Sequence, residues 1–183
     1  MAARLEAATK QFGTSLLLSQ PFADLLSPAV RRRVRQIDCV TVKGSNQPIG
    51  LYTYDVSTDR VAAPEQPLAH PAAAAAAAAK KTAEHDSFSD YPYYDEFEEH
   101  PDILATSAVD AAFLAQFAVG FEAYRSGDWA VAGAALEATR VARRDAGGGV
   151  VVDGPSETLL AVMREHGMVA PPGWAGFREL TEK

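Results

Sequence analysis

The chain has 183 residues, 48% of them hydrophobic and 22% charged, with a formal net charge of −7. These totals fit an ordinary globular chain of one domain or one and a half, and the acidic balance argues against a general nucleic-acid binder, which needs a basic face to neutralise phosphates. A single cysteine, Cys39, excludes an internal disulfide framework and fits a reducing compartment. No apolar run reaches membrane-spanning length, and the acid in the first helical stretch is unlike a secretion signal, so a soluble, cytoplasmic chain is expected.

Residues 1–56 mix short helices and strands. "ARLEAATKQFG" is rich in helix formers and stops at Gly13, a residue that takes positive φ without steric cost. "TSLLLS" reads as a short apolar strand, and "PFADLLSPAV" as a brief helix opened by Pro21. The run "RRRVR", Arg31 to Arg35, reads as a solvated or partner-facing strand edge. "RQIDCVTVKGSNQPIGLYTYD" is a hairpin. By the two-residue period, Ile37, Cys39, Thr41 and Lys43 share one face of its first strand and Val34, Val40 and Val42 the other, with Cys39 buried. About 55 residues bury too small a fraction of their surface to offset chain entropy, so this segment is expected to belong to something larger.

From residue 57 to 101 the composition is that of a linker. Pro64, Pro67 and Pro71 cluster ahead of a polyalanine run, Ala72 to Ala79, too short for an independent helix. The following stretch, "EHDSFSDYPYYDEFEEHPD", is acidic and aromatic. A carboxylate–histidine metal site there has no fixed ligand spacing; docking of Phe88, Tyr91, Tyr93, Tyr94 and Phe97 on a neighbouring surface is the competing reading.

Residues 102–183 read as helical. Ser107 with Asp110 suggests a capping box ahead of the stripe Phe113, Phe117, Phe121, and Gly127 breaks that helix. Asp128 caps a second helix with Trp129, Ala132, Leu136 and Thr139 on one face, its end marked by Arg140, Arg143 and Arg144. "AGGGVVVDGPS" lacks the lysine of a phosphate loop and reads as flexible loop. A third helix starts at Pro155, buries Leu159, Leu160 and Met163, and stops at Gly167; Trp174 and Phe177 are expected to cover the helix pair.

The first segment resembles the last portion of a class III adenylate or guanylate cyclase domain. In that family a helix carrying Asn-x-x-x-Arg precedes such a strand, and the domain ends on a hairpin containing Val-Lys-Gly. Arg4 matches the arginine, Val42 to Gly44 match the hairpin motif, and Ile37 and Asp38 match its lead-in. The resemblance implies an α+β class: the C-terminal portion of a ferredoxin-like cyclase domain with a β-hairpin, then a flexible linker and an all-α helical-hairpin tail. It assigns Arg4 a catalytic role at the α-phosphate, where a planar, permanently charged fork suits the transition state, and Lys43 the β- and γ-phosphates. Ser45 stands where a second lysine is frequent.

The family's asparagine would fall before Met1, and its two metal-binding aspartates and base-selecting residues are placed further upstream. The resemblance therefore implies an incomplete cyclase that is inactive alone. Its Mg²⁺ or Mn²⁺ would have ligands outside this chain, its substrate would be ATP or GTP, and its partner a second cyclase domain or the missing N-terminal part. No nucleic-acid partner and no membrane segment are expected. The tail, with "GDW", "DGPS" and a final Trp-x-Gly, is similar to helical extensions of cyclase-containing proteins, and "GDWAVAGAAL" is similar to the middle of a tetratricopeptide repeat. A second reading makes the tail a non-catalytic docking module.

Overall fold

The computed structural model describes residues 8–41, 47–56 and 107–180. The chain is α+β. Helical residues 8–12 lead into β1 (Leu18–Ser19), α1 (Gln20–Ala23), α2 (Pro28–Arg31), β2 (Val34–Thr41) and β3 (Ile49–Tyr54). Beyond residue 106 come α3 (Ala111–Ser126), α4 (Trp129–Arg140), the pair β4 (Arg143–Arg144) and β5 (Val150–Val151), α5 (Gly154–Glu165) and β6 (Arg178–Glu179).

One sheet takes the order β1-β3-β2-β6, with β1 and β2 antiparallel to β3 and β6 parallel to β2. β4 and β5 form a separate antiparallel pair. The region after residue 102 is thus not all helical. The glycines read as a flexible loop close a small hairpin, in which Gly149 N–H donates to the Asp145 carboxylate and Gly149 O accepts from Asp145 N–H. The last strand joins the sheet of the first segment.

The strict alternation expected along β2 fails at Ile37. Gln36 pairs with Tyr52 and Asp38 with Leu51, which leaves Ile37 as the extra residue of a β-bulge. The bulge resets the faces. Arg35, Ile37, Asp38 and Val40 are buried, and Ile37 and Val40 lie in one core with the helices. Val34 instead joins Ala23 and Tyr52 in a smaller cluster on the other side. Cys39, paired with Gly50, is half-buried rather than sealed.

Local chemistry sets the helix ends. Gly13, at φ +59°, stops the first helix, with Gly13 N–H bonded to Lys10 O and Thr14 N–H to Thr9 O. α3 is capped by Asp110, whose carboxylate accepts from Phe113 N–H, and not by Ser107. Ser107 is still extended there, in a bridge with Val56. Asp128 and Asp153 cap α4 and α5, and Gly127 and Gly167 end α3 and α5 at positive φ. The expected strand at 14–19 is only Leu18–Ser19, and the single helix opened by Pro21 is two one-turn helices, because Pro28 begins a second, capped by Ser27.

The main core joins the two ends of the chain. Phe12, Ile37, Val40 and Leu51 pack with Phe117, Tyr124, Trp129, Leu136, Leu159 and Met163. Burying each large side chain contributes about 1.5–3 kcal/mol. α3 and α4 approach closely at Gly120, where a Cβ would stand 3.0 Å from Leu136 and 3.1 Å from Ala135. Gly154 is tighter still, because a Cβ there would collide with the carbonyl of Phe12. Thr158 Oγ1 donates to Gln11 O beside it, at 3.1 Å.

Candidate functional site

Arg4, Val42, Lys43, Gly44 and Ser45 lie outside the described residues, as do the polyalanine run and the acidic-aromatic stretch of 57–106. What is described are the elements that lead to the two cations. The described part of the first helix is residues 8–12, ending at Phe12, and β2 ends at Thr41. Phe12 and Val40 are both fully buried in the same core. The helix and the strand are therefore held against one another.

Asp38, one of the residues that carry the resemblance, is wholly buried. Its Oδ1 accepts from Cys39 N–H at 2.8 Å, and its Oδ2 from Arg178 Nε at 2.9 Å. Arg178 Nη2 lies 2.8 Å from the same oxygen as an ion-pair contact. Burial pushes the carboxyl up to about 6, and Arg178 offsets part of that rise. Burial likewise raises the Cys39 thiol and lifts the Tyr124 phenol beyond its ordinary range.

A second buried ion cluster centres on Arg35, the residue expected on a solvated edge. Its Nε and Nη2 donate to Asp55 at 2.7 and 2.8 Å; Nη1 and Nη2 donate to Asp153 at 3.1 and 2.6 Å. The guanidinium carbon stands 4.3 Å from the ring centre of Phe117 and 4.9 Å from that of Phe113. Arg143 Nη1 adds longer contacts, 3.5 Å to Asp153 and 3.8 Å to Asp55. Desolvation opposes the charge on Arg35, but the two carboxylates outweigh it and raise its pKa. Asp153 is also desolvated, yet Arg35 and Ser156 hold it below the usual carboxylate range.

This cluster can hold the fold but cannot bind a phosphate. The donors of Arg35 face two carboxylates, and any anion entering would meet both. The other arginines of the run are placed differently: Arg31 closes α2 with its guanidinium 4.3 Å from the Tyr52 ring centre, and Arg32 caps that helix. Beside the start of β2 a groove of about 350 Å³ lies between Arg32, Gln36 and the α3 residues Leu114, Phe121 and Glu122. Among the described residues no group of three or more His, Cys, Asp or Glu could hold a metal ion. Asp38, Asp55 and Asp153 are each committed to arginines, so they do not fit a two-metal site. No helix among the described residues is long and apolar enough to cross a membrane.

Sequence reasoning missed Arg35, Asp55 and Asp153 as a set. Arg35 stands 20 positions from Asp55 and 118 from Asp153, and no periodicity links such distant charges. The signal present was local: an arginine inside an apolar strand, and an aspartate as the cap of an apolar helix. Comparison with protein-family models, curated proteins and solved structures finds no match to this chain.

Proposed function

We propose that the chain is the C-terminal part of a class III nucleotide cyclase, a ferredoxin-like catalytic domain whose product is cAMP or cGMP plus pyrophosphate. The observation that supports this most is the shared burial of Phe12 and Val40, which packs helical residues 8–12, downstream of Arg4 in sequence, against β2, which ends two positions before Lys43. The antiparallel pairing of β2 with β3 has the hairpin form that the resemblance requires.

In this reading the ribose 3′-oxygen attacks the α-phosphorus and pyrophosphate leaves. Catalysis is then largely positioning, with neutralisation of charge on the phosphate oxygens. Arg4 would take the developing charge at the α-phosphate through its fork, and Lys43 the β- and γ-phosphates as a compact cation. Among the described residues no cluster of His, Cys, Asp or Glu could hold the Mg²⁺ or Mn²⁺.

The test joins residues 1–183 downstream of the upstream portion of a class III cyclase domain and assays ATP and GTP with Mg²⁺ or Mn²⁺. The chain alone should form no cyclic nucleotide, and the joined protein should form it. Arg4→Ala should lower turnover by about 10²–10³-fold without moving Tm, as removal of a transition-state donor does. Lys43→Ala should act chiefly on KM. Cyclic nucleotide made by the chain alone, or an Arg4→Ala protein that turns over at the parental rate, would overturn the proposal.

A further inference from the structure

Arg178 reaches across from the far end of the chain to both elements that flank the proposed phosphate site. Its guanidinium pairs with Asp38 on β2, and its carbon lies 5.9 Å from the ring centre of Phe12, at the end of the first helix. Around it, among the described residues, β6 pairs with Val40 and Thr41, and Leu180 N–H donates to Thr41 O at 2.9 Å. The next anchor upstream is Trp174, whose indole N–H donates to Tyr124 O at 2.9 Å. Between the two anchors stands Gly176, at φ +80°, with its backbone so close to Arg125 that a Cβ would lie 2.9 Å from that carbonyl oxygen.

We infer that residues 177–180 form a latch that opens from β2 as a unit about Gly176, and that Arg178 is the positioning residue through which the C-terminal tail holds the first helix and β2 together. The physical basis is an asymmetry between the anchors. Trp174 is wedged edge-on against both Tyr124 and Trp129, whereas β6 is two residues long and, among the described residues, its buried charged contact is Arg178 with Asp38. A two-residue strand, held by one ion pair, a short parallel ladder and the half-buried Leu180, opens at lower free energy than the fully buried core to which it is attached. Its bearing on Lys43 rests on the cyclase reading; the latch itself does not.

The test is residue-resolved amide hydrogen exchange on the 183-residue chain. Leu180, whose amide bonds to β2, is compared with Leu136 in the core of α4. In the wild type, Leu180 should exchange through a local opening that depends little on added urea, while Leu136 should follow global unfolding. Arg178→Ala should speed exchange at Leu180 by about tenfold or more relative to Leu136, with Arg178→Lys falling between. Lys43→Ala should change neither amide, so a failed cyclase reading would leave this result untouched. The inference is overturned if Leu180 and Leu136 show the same protection and urea dependence in the wild type, or if Arg178→Ala leaves their ratio unchanged. Should Arg178→Ala not fold, the wild-type urea series decides alone.

Discussion

Arg35 and Asp153 stand 118 positions apart and meet at 2.6 Å, with both side chains sealed from solvent. The contact ties the start of β2 to the cap of α5, and Asp55 at the end of β3 closes the set. Replacing Arg35 by Met would leave two buried carboxylates with the longer contacts of Arg143 and, for Asp153, the bonds from Ser156. The expected loss is about 3–5 kcal/mol, the range for a buried pair stripped of one partner. Urea unfolding monitored by circular dichroism checks it. For the same reason residues 107–183 expressed alone should lack the cooperative transition of the whole chain.

Asp38 gives a pH dependence of unusual sign. Its folded-state pKa is raised to about 6, mainly by burial, above the value near 4 of an unfolded chain. The folded protein therefore holds this proton more tightly than the unfolded one. The resulting stabilisation is fully present below about pH 4 and is lost as pH rises through about 6. Relative to Asp38→Asn, the wild type should gain about 2.4 kcal/mol between pH 7.5 and pH 4. Asp153, depressed by its partners, works in the opposite direction but is common to both proteins and cancels in the difference. Paired urea titrations across that range measure it; parallel pH profiles would contradict the expectation.

The Tyr124 carbonyl accepts the indole N–H of Trp129 at 3.0 Å, that of Trp174 at 2.9 Å and the backbone N–H of Gly127 at 3.2 Å. With three donors on one oxygen, losing one indole should cost little. Trp174→Phe is expected to lower stability by about 1 kcal/mol. Combining it with Trp129→Phe should cost more than the two single changes added, because the remaining donor must then serve the oxygen alone. A double-mutant cycle by thermal unfolding reads that coupling directly.

The long connection enters and leaves at one point. Val56 bridges Ser107, and Ala108 N–H donates to Asp55 O at 3.0 Å. Replacing residues 58–105 by a four-residue turn should keep the fold. It should also stabilise the fold by about 2 kcal/mol, since closing a loop costs entropy that grows with the logarithm of its length. A lower Tm in the shortened protein would show that the removed stretch contributes packing of its own.

How much of this was legible depended on the range of each cause. Asp128, Pro155, Gly127 and Gly167 were readable as helix ends because capping acts within four residues, and the Phe113, Phe117, Phe121 stripe because helical period is local. Ser107 misled because its spacing to Asp110 imitates a cap, while its pairing with Val56 holds the chain extended. The bulge at Ile37 depends on register with β3, which alternation along β2 does not encode. Arg35 looked like one more surface arginine because its partners come from other segments. The matched cations Arg4 and Lys43 fall outside the described residues, so the described part of the site consists of their supports.

Position 154 admits only hydrogen as a side chain, because anything larger would drive α5 off the end of the first helix. The "DGPS" motif thereby carries a record of its neighbour. In a descendant that shed the first segment, drift at this codon would be released, so glycine retained there would mark chains in which both ends still travel together.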